Sequence, residues 1–231
     1  MEKGRLDSVS VAGIAVFSAL ATLLGAASQA VGLNFPLIPY LQFDLGEVAI
    51  LMAFFIFGPL PAGVASFVEF LGLEVYGQNL PLGPILKLIA LLSTVAGMWV
   101  GAKVAPRVRA RSVGSMVGVC AAVGSAFRAA LMTLPNFYIL VFIAGNLGYA
   151  EAVARAPFAL LGLTVTDANA LALILAFTAA FNVLQLAAVS VLSYAVLTFP
   201  PMARLKVGGR PPWFVTAAGG RDAPAPPGAD G

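Results

Sequence analysis

With 231 residues, 60% of them hydrophobic and 10% charged, the chain has too few charges to cover a water-facing surface, for which soluble domains use about 25%. Histidine is absent and Cys120 is the one cysteine, which excludes an intrachain disulfide, a thiolate metal cluster and every histidine-based nucleophile arrangement. Mean hydropathy is +0.96, and successive apolar stretches approach the ~20 residues that cross a bilayer.

The first predicted helix runs from about Ser10 to Val31 behind Lys3 and Arg5. Its charged start and small residues at Ala26, Ala27 and Ser28 also have the outline of a cleavable signal peptide, but its length and the polytopic sequence after it favour a span. Leu33 to Asp44 reads as a loop, because Pro36 and Pro39 interrupt any helix. A short second helix covers about Leu45 to Phe57, and Gly58-Pro59-Leu60-Pro61 turns it into a third that ends near Tyr76. Gly77 to Pro84, polar at Gln78 and Asn79, is a second loop. The fourth helix spans about Ile85 to Val104, broken by Pro106. The fifth starts near Val113 and reaches at least Thr133, where Pro135 bends or ends it; the apolar continuation from Asn136 to Asn146 allows the span to run on past a kink. Gly148 to Asn169 reads as a long loop with room for a surface helix. The sixth helix covers about Ala170 to Thr198. Residues 1–200 therefore form one six-helix transmembrane domain, and residues 201–231 a basic, Pro/Gly-rich tail expected to be disordered from about Arg210.

Basic residues set the expected orientation. Lys3 and Arg5 precede the first helix, Lys103, Arg107, Arg109 and Arg111 follow the fourth, and Arg204, Lys206, Arg210 and Arg221 follow the sixth. With six spans all of these share one face, and Lys and Arg collect on the cytoplasmic side. This predicts an all-α, multi-pass bundle in the cell membrane with both termini inside. The net charge of +3 is thereby accounted for without nucleic acid.

Charged and amide side chains within spans cost a few kcal/mol on insertion scales, so they face cavities or partners. Glu47, Glu69, Lys87, Arg128, Asn136, Asn182 and Gln185 are of this kind. Glu69 and Arg128 read either as part of a site or as an interhelical ion pair. Asn182 and Gln185, three apart on one helix face, together with Asn136 suit a pocket for a flat heteroaromatic ligand better than an ion path, which would show carboxylates in series. Ala15 and Ala19 lie one turn apart, a spacing that lets another helix approach closely.

Leu33-Asn34-Phe35-Pro36, then Tyr40-Leu41-Gln42-Phe43-Asp44, then Gly58-Pro59 with Gly63, resemble the riboflavin-specific S components of energy-coupling-factor (ECF) transporters. The likeness is looser at Glu69 and Pro81-Leu82-Gly83, and returns at Asn136-Phe137-Tyr138 and Phe181-Asn182. The Ala15/Ala19 pair matches that family's small-residue signature on the first helix. The chain departs from the pattern at Gln42 and Gln185, where lysines are usual, at Gly46-Glu47, at Lys87 where asparagine is common, and at Arg128, which has no counterpart.

The resemblance implies a six-helix S-component fold and a protein with no chemistry of its own. It implies substrate binding by Gln42, Asn136, Asn182 and Gln185, with Tyr40, Phe43 and Tyr138 stacking or closing over the ligand. It also implies riboflavin as transported ligand rather than cofactor, and docking through Ala15 and Ala19 onto a transmembrane coupling subunit driven by two ATPase subunits. No catalytic or metal-binding set and no phosphate-binding G-x-x-x-x-G-K-[ST] is expected or found in the sequence. The competing expectations are an S component for another vitamin, a membrane enzyme using Glu47, Glu69 and Arg128, and an assembly subunit without ligand.

Overall fold

A computed structural model describes residues 7–77, 80–110, 112–143, 145–199 and 206–217. Lys3, Arg5, Gln78, Asn79, Arg111, Arg204 and Arg221 lie outside the described residues. The helices are α1 (Ser8–Val31), α2 (Gly46–Phe57), α3 (Pro59–Tyr76), α4 (Leu82–Val104), α5 (Val113–Phe142), α6 (Asn146–Leu160), α7 (Ala170–Thr198) and α8 (Trp213–Ala217), with strands β1 (Asn34–Phe35) and β2 (Ile38–Gln42) between α1 and α2. Four of them, α1, α4, α5 and α7, are long and apolar enough to cross a membrane, while α2 is apolar but shorter.

Burial is inverted relative to a protein built for water. Glu47, Glu69 and Arg128 are at most 3% exposed, whereas Val16, Leu23, Leu71, Leu134 and Val191 are more than half exposed. Only an apolar surrounding makes that distribution favourable. The chain is a membrane-embedded helical bundle.

Local chemistry sets the element ends. Asp7 caps α1 by accepting from the Ser10 amide at 2.9 Å, and this bonding with Ser10 lowers the carboxyl's pKa from its ordinary value. Ser112 and Ser115 form a reciprocal capping box at the start of α5. Between α2 and α3 the chain turns at Gly58, whose φ of 100° disfavours any side chain, and Pro59 begins α3 with φ already set for a helix.

Helix α2 sits at the centre, packed against α1, α3, α4, α7 and α8. Its run from Ala49 to Phe55 is wholly buried, so it is hydrophobic all round rather than amphipathic. The α4–α5 crossing depends on glycine. A Cβ on Gly97 would stand 2.8 Å from the Gly124 Cα, and one on Gly101 would stand 2.8 Å from the Cys120 Cα, so the two backbones are nearly in contact. Cys120 is accordingly a buried packing residue.

Three sequence expectations change here, and one open alternative is decided. The loop from Leu33 to Asp44 contains an antiparallel hairpin, with Asn34 opposite Gln42 and Phe35 opposite Ile38. Pro36 occupies its turn, and Phe35 and Ile38 are buried beneath it. Helix α5 takes the longer of its two expected courses, through Pro135 to Phe142. A side-chain donor lies next to the missing proline amide, as Asn136 Nδ2 donates to the Met132 carbonyl at 2.7 Å. The segment read mainly as loop after Gly148 is largely α6, which packs on α5, α7 and β2. In the tail, Val207 and Arg210 bridge and α8 folds under the bundle, with Trp213 5.1 Å from the Phe54 ring and Phe214 against Phe55. Apolar Trp213 and Phe214 outweigh the surrounding Pro/Gly composition.

Candidate functional site

A cavity of about 440 Å³ opens at the hairpin end of the bundle, with side chains contributed by α1, the hairpin, and α2 to α7. Its walls are aromatic. Phe43 and Phe181 pack at 5.1 Å between ring centroids, and Tyr40 and Tyr149 at 6.2 Å. Burial beside Tyr149 pushes the Tyr40 phenol up to about 12, so it serves as a neutral hydrogen-bonding group. Phe35 lies behind the wall, 5.4 Å from Phe181, tying the hairpin to α7.

The floor is ionic. Lys87 Nζ donates to Asp44 Oδ2 at 2.6 Å and to Glu47 Oε1 at 3.0 Å. Arg128 grips Glu47 in bidentate fashion, Nη1 to Oε2 at 2.5 Å and Nη2 to Oε1 at 3.0 Å. Its Nε donates to Asn182 Oδ1 at 2.8 Å, and Asn182 Nδ2 donates to the Thr178 carbonyl at 2.9 Å. The planar guanidinium fork matches the carboxylate and is oriented by the amide, which makes the arrangement stiff. Sequence order explains the convergence. Asp44 and Glu47 flank the start of α2, Lys87 lies in the first turns of α4, and Arg128 and Asn182 lie midway along α5 and α7, so the chain brings them together from four directions.

Of the residues singled out in the sequence, Tyr40, Gln42, Phe43, Asn136 and Asn182 line the cavity. Three expectations are corrected. Gln185 is buried but engages the backbone, its Nε2 donating to the Asp44 carbonyl at 2.8 Å and its Oε1 accepting from the Asp44 amide at 3.4 Å; it clamps the end of the roof. Tyr138 is 59% exposed and packs on Phe142 at 5.1 Å, because it points away from the helix face that carries Asn136. Glu69 and Arg128 are not an ion pair: the guanidinium is taken by Glu47, and both Glu69 oxygens lack a hydrogen-bond partner among the described residues.

Sequence reasoning named Glu47 and Lys87 only among the polar residues within spans, without pairing them, and gave Asp44 no place in the site. The available signal was charge balance, since two basic residues buried within spans require acidic partners on neighbouring helices.

Ala15 and Ala19 are exposed along α1 with Val16 and Leu23, on the face turned away from the contacts with α2 and α3. No group of three or more Cys, Asp or Glu side chains among the described residues is arranged around a metal position. No family model, curated protein or solved structure matches the chain.

Proposed function

We propose that this chain is the substrate-capturing subunit of a vitamin importer, taking riboflavin or a related flavin from outside the cell membrane. The observation that carries the reading is the cavity of about 440 Å³ roofed by the hairpin, aromatic at its walls and hydrogen-bonding at its base. Small-molecule sites occupy roughly 300–1,000 Å³ and pair apolar walls with a few placed polar groups. A flat ring stacks between Tyr40, Phe43, Phe181 and Tyr149, and the Asn136 amide, whose Nδ2 is held by Met132, offers its oxygen to a ligand N–H or O–H.

In this reading α1 to α5 and α7 are six spans with both ends of the domain cytoplasmic. Lys103, Arg107, Arg109, Lys206 and Arg210 gather at the end opposite the cavity, in agreement with the excess of basic residues on the inner side. The exposed Ala15 and Ala19 meet a transmembrane coupling subunit, and two ATPase subunits supply the energy. The protein itself performs no reaction.

A second ligand class within the same function is favoured by one observation. The lysines usual in the resembling family are replaced by Gln42 and Gln185, and a saturated Lys87–Glu47–Arg128 group forms the base, which suits a heteroaromatic compound with a different polar edge.

The test is mass spectrometry of the small molecule retained by detergent-purified protein, followed by titration with riboflavin and quenching of its fluorescence. Retained flavin and quenching that saturates at one ligand per chain are expected. A different retained heteroaromatic compound would move the assignment to the second reading, and protein that takes up neither would overturn both.

A further inference from the structure

The half of the bundle away from the cavity carries a second concavity, on the outer side of α3 and α4. Leu60, Gly63 and Phe67 line it from α3, and Leu92, Ala96 and Trp99 from α4. Each set recurs every three or four residues, so each is one stripe along a helix face. The groove encloses about 420 Å³, and no charged residue lines it among the described residues. Gly63 leaves it open, since a Cβ there would meet only Leu92 Cδ2, at 3.9 Å. From Leu60 to Phe67 the helix rises about 10 Å, a fraction of the ~30 Å hydrocarbon core. The groove therefore fits within one leaflet.

Positive charge gathers at one end of this groove. Lys103, one turn beyond Trp99 on α4, holds its Nζ 3.2 Å from the centre of the Trp99 ring. The ring fixes the ammonium beside the groove and leaves it N–H donors for an anion. Arg107 and Arg109 follow in a turn that closes back on the helix end, the Ala110 amide donating to the Ala105 carbonyl at 2.9 Å. All three cations are exposed. The ion pairs among the described residues engage Lys87, Arg128, Arg155 and Arg210, so none of these three has a carboxylate partner there. An apolar slot with unpaired cations at its mouth is complementary to a molecule with an apolar tail and an anionic head.

We propose that the groove between α3 and α4 binds one acyl chain of an anionic phospholipid, with Lys103 holding its phosphate. The acyl chain lies between the two apolar stripes, and Arg107 and Arg109 add attraction for the head group. An apolar helix of another protein would cover the slot and leave the cations unpaired, whereas one lipid answers both. The bound lipid fastens α3 to α4. Both helices line the cavity farther along, through Leu73 and Lys87 among others, so the lipid steadies the frame on which that cavity is built.

The test needs no vitamin, so it stands apart from the flavin assignment. Thermal unfolding of the full chain in non-ionic detergent is followed while phosphatidylglycerol, or phosphatidylcholine with the same acyl chains, is added. Phosphatidylglycerol is expected to raise the midpoint by roughly 2–4 °C, to saturation, and phosphatidylcholine by clearly less. Lys103→Gln is expected to bring the phosphatidylglycerol increment down to the phosphatidylcholine level. Gly63→Leu, which lays a side chain into the open slot, is expected to abolish the increment from both lipids. Should that variant not fold, Ala96→Leu, at an exposed position on the opposite wall, serves the same purpose. Equal increments from the two lipids in the unaltered chain, or none from either, would overturn the site. So would a phosphatidylglycerol increment that survives in Lys103→Gln or in the filled groove, since the lipid would then act elsewhere.

Discussion

Asn182 and Tyr138 were both candidates for the site, and their surroundings separate them. Asn182 is 4% exposed and orients the Arg128 side chain through Nε, so its loss frees the guanidinium that holds Glu47. Asn182→Ala is expected to weaken flavin binding by roughly tenfold or more, about 1.4 kcal/mol. Tyr138→Ala, on the outside of α5, should leave the dissociation constant within about twofold. Fluorescence titration of the two variants side by side checks both, and equal losses would contradict the placement of the cavity. Which polar residues lie within spans was readable from the sequence, since their positions follow from counting along apolar runs. Their pairing was not. Glu47 and Glu69 are equivalent candidates for Arg128 in one dimension, and only the rotation of α2 and α3 about their axes presents one of them to the guanidinium.

At the scale of elements, the helices followed from apolar runs and breakers, and their ends from Asp7, Ser112, Gly58 and Pro59. The hairpin was hidden because Pro36 and Pro39 read only as helix breakers, while the burial of Phe35 and Ile38 that stabilises it comes from α6 and α7. The closeness of α4 and α5 likewise depends on Gly97 and Gly101 of α4 meeting Gly124 and Cys120 of α5, residues about twenty or more apart in the chain until folded. Gly97→Val puts branched carbon where Phe127 Cβ would stand 2.6 Å from the first added atom. It is expected to destabilise the purified protein by about 1–3 kcal/mol or more by overpacking, read as a lowered unfolding midpoint. A change at exposed Gly118, which has open space around it, should leave the midpoint nearly unmoved.

For the whole molecule, the cavity and the exposed Ala15/Ala19 face of α1 lie on different surfaces, so their proposed roles are separable. Ala15→Trp enlarges an exposed position on α1 far along the helix from Ser28, which lines the cavity and accepts from the Leu45 amide. It is expected to leave flavin affinity unchanged and to stop uptake in cells carrying the energising subunits; normal uptake would remove the assignment of this face. The sequence by itself determined the membrane class and the order of the apolar helices, because each depends on composition and on order along the chain. The tertiary structure alone decided the carboxylate that meets Arg128, the exclusion of Gln185 and Tyr138 from the cavity, and the stranding of Glu69 behind it. Those outcomes depend on how each helix is turned toward its neighbours, and that is settled by packing all the helices at once.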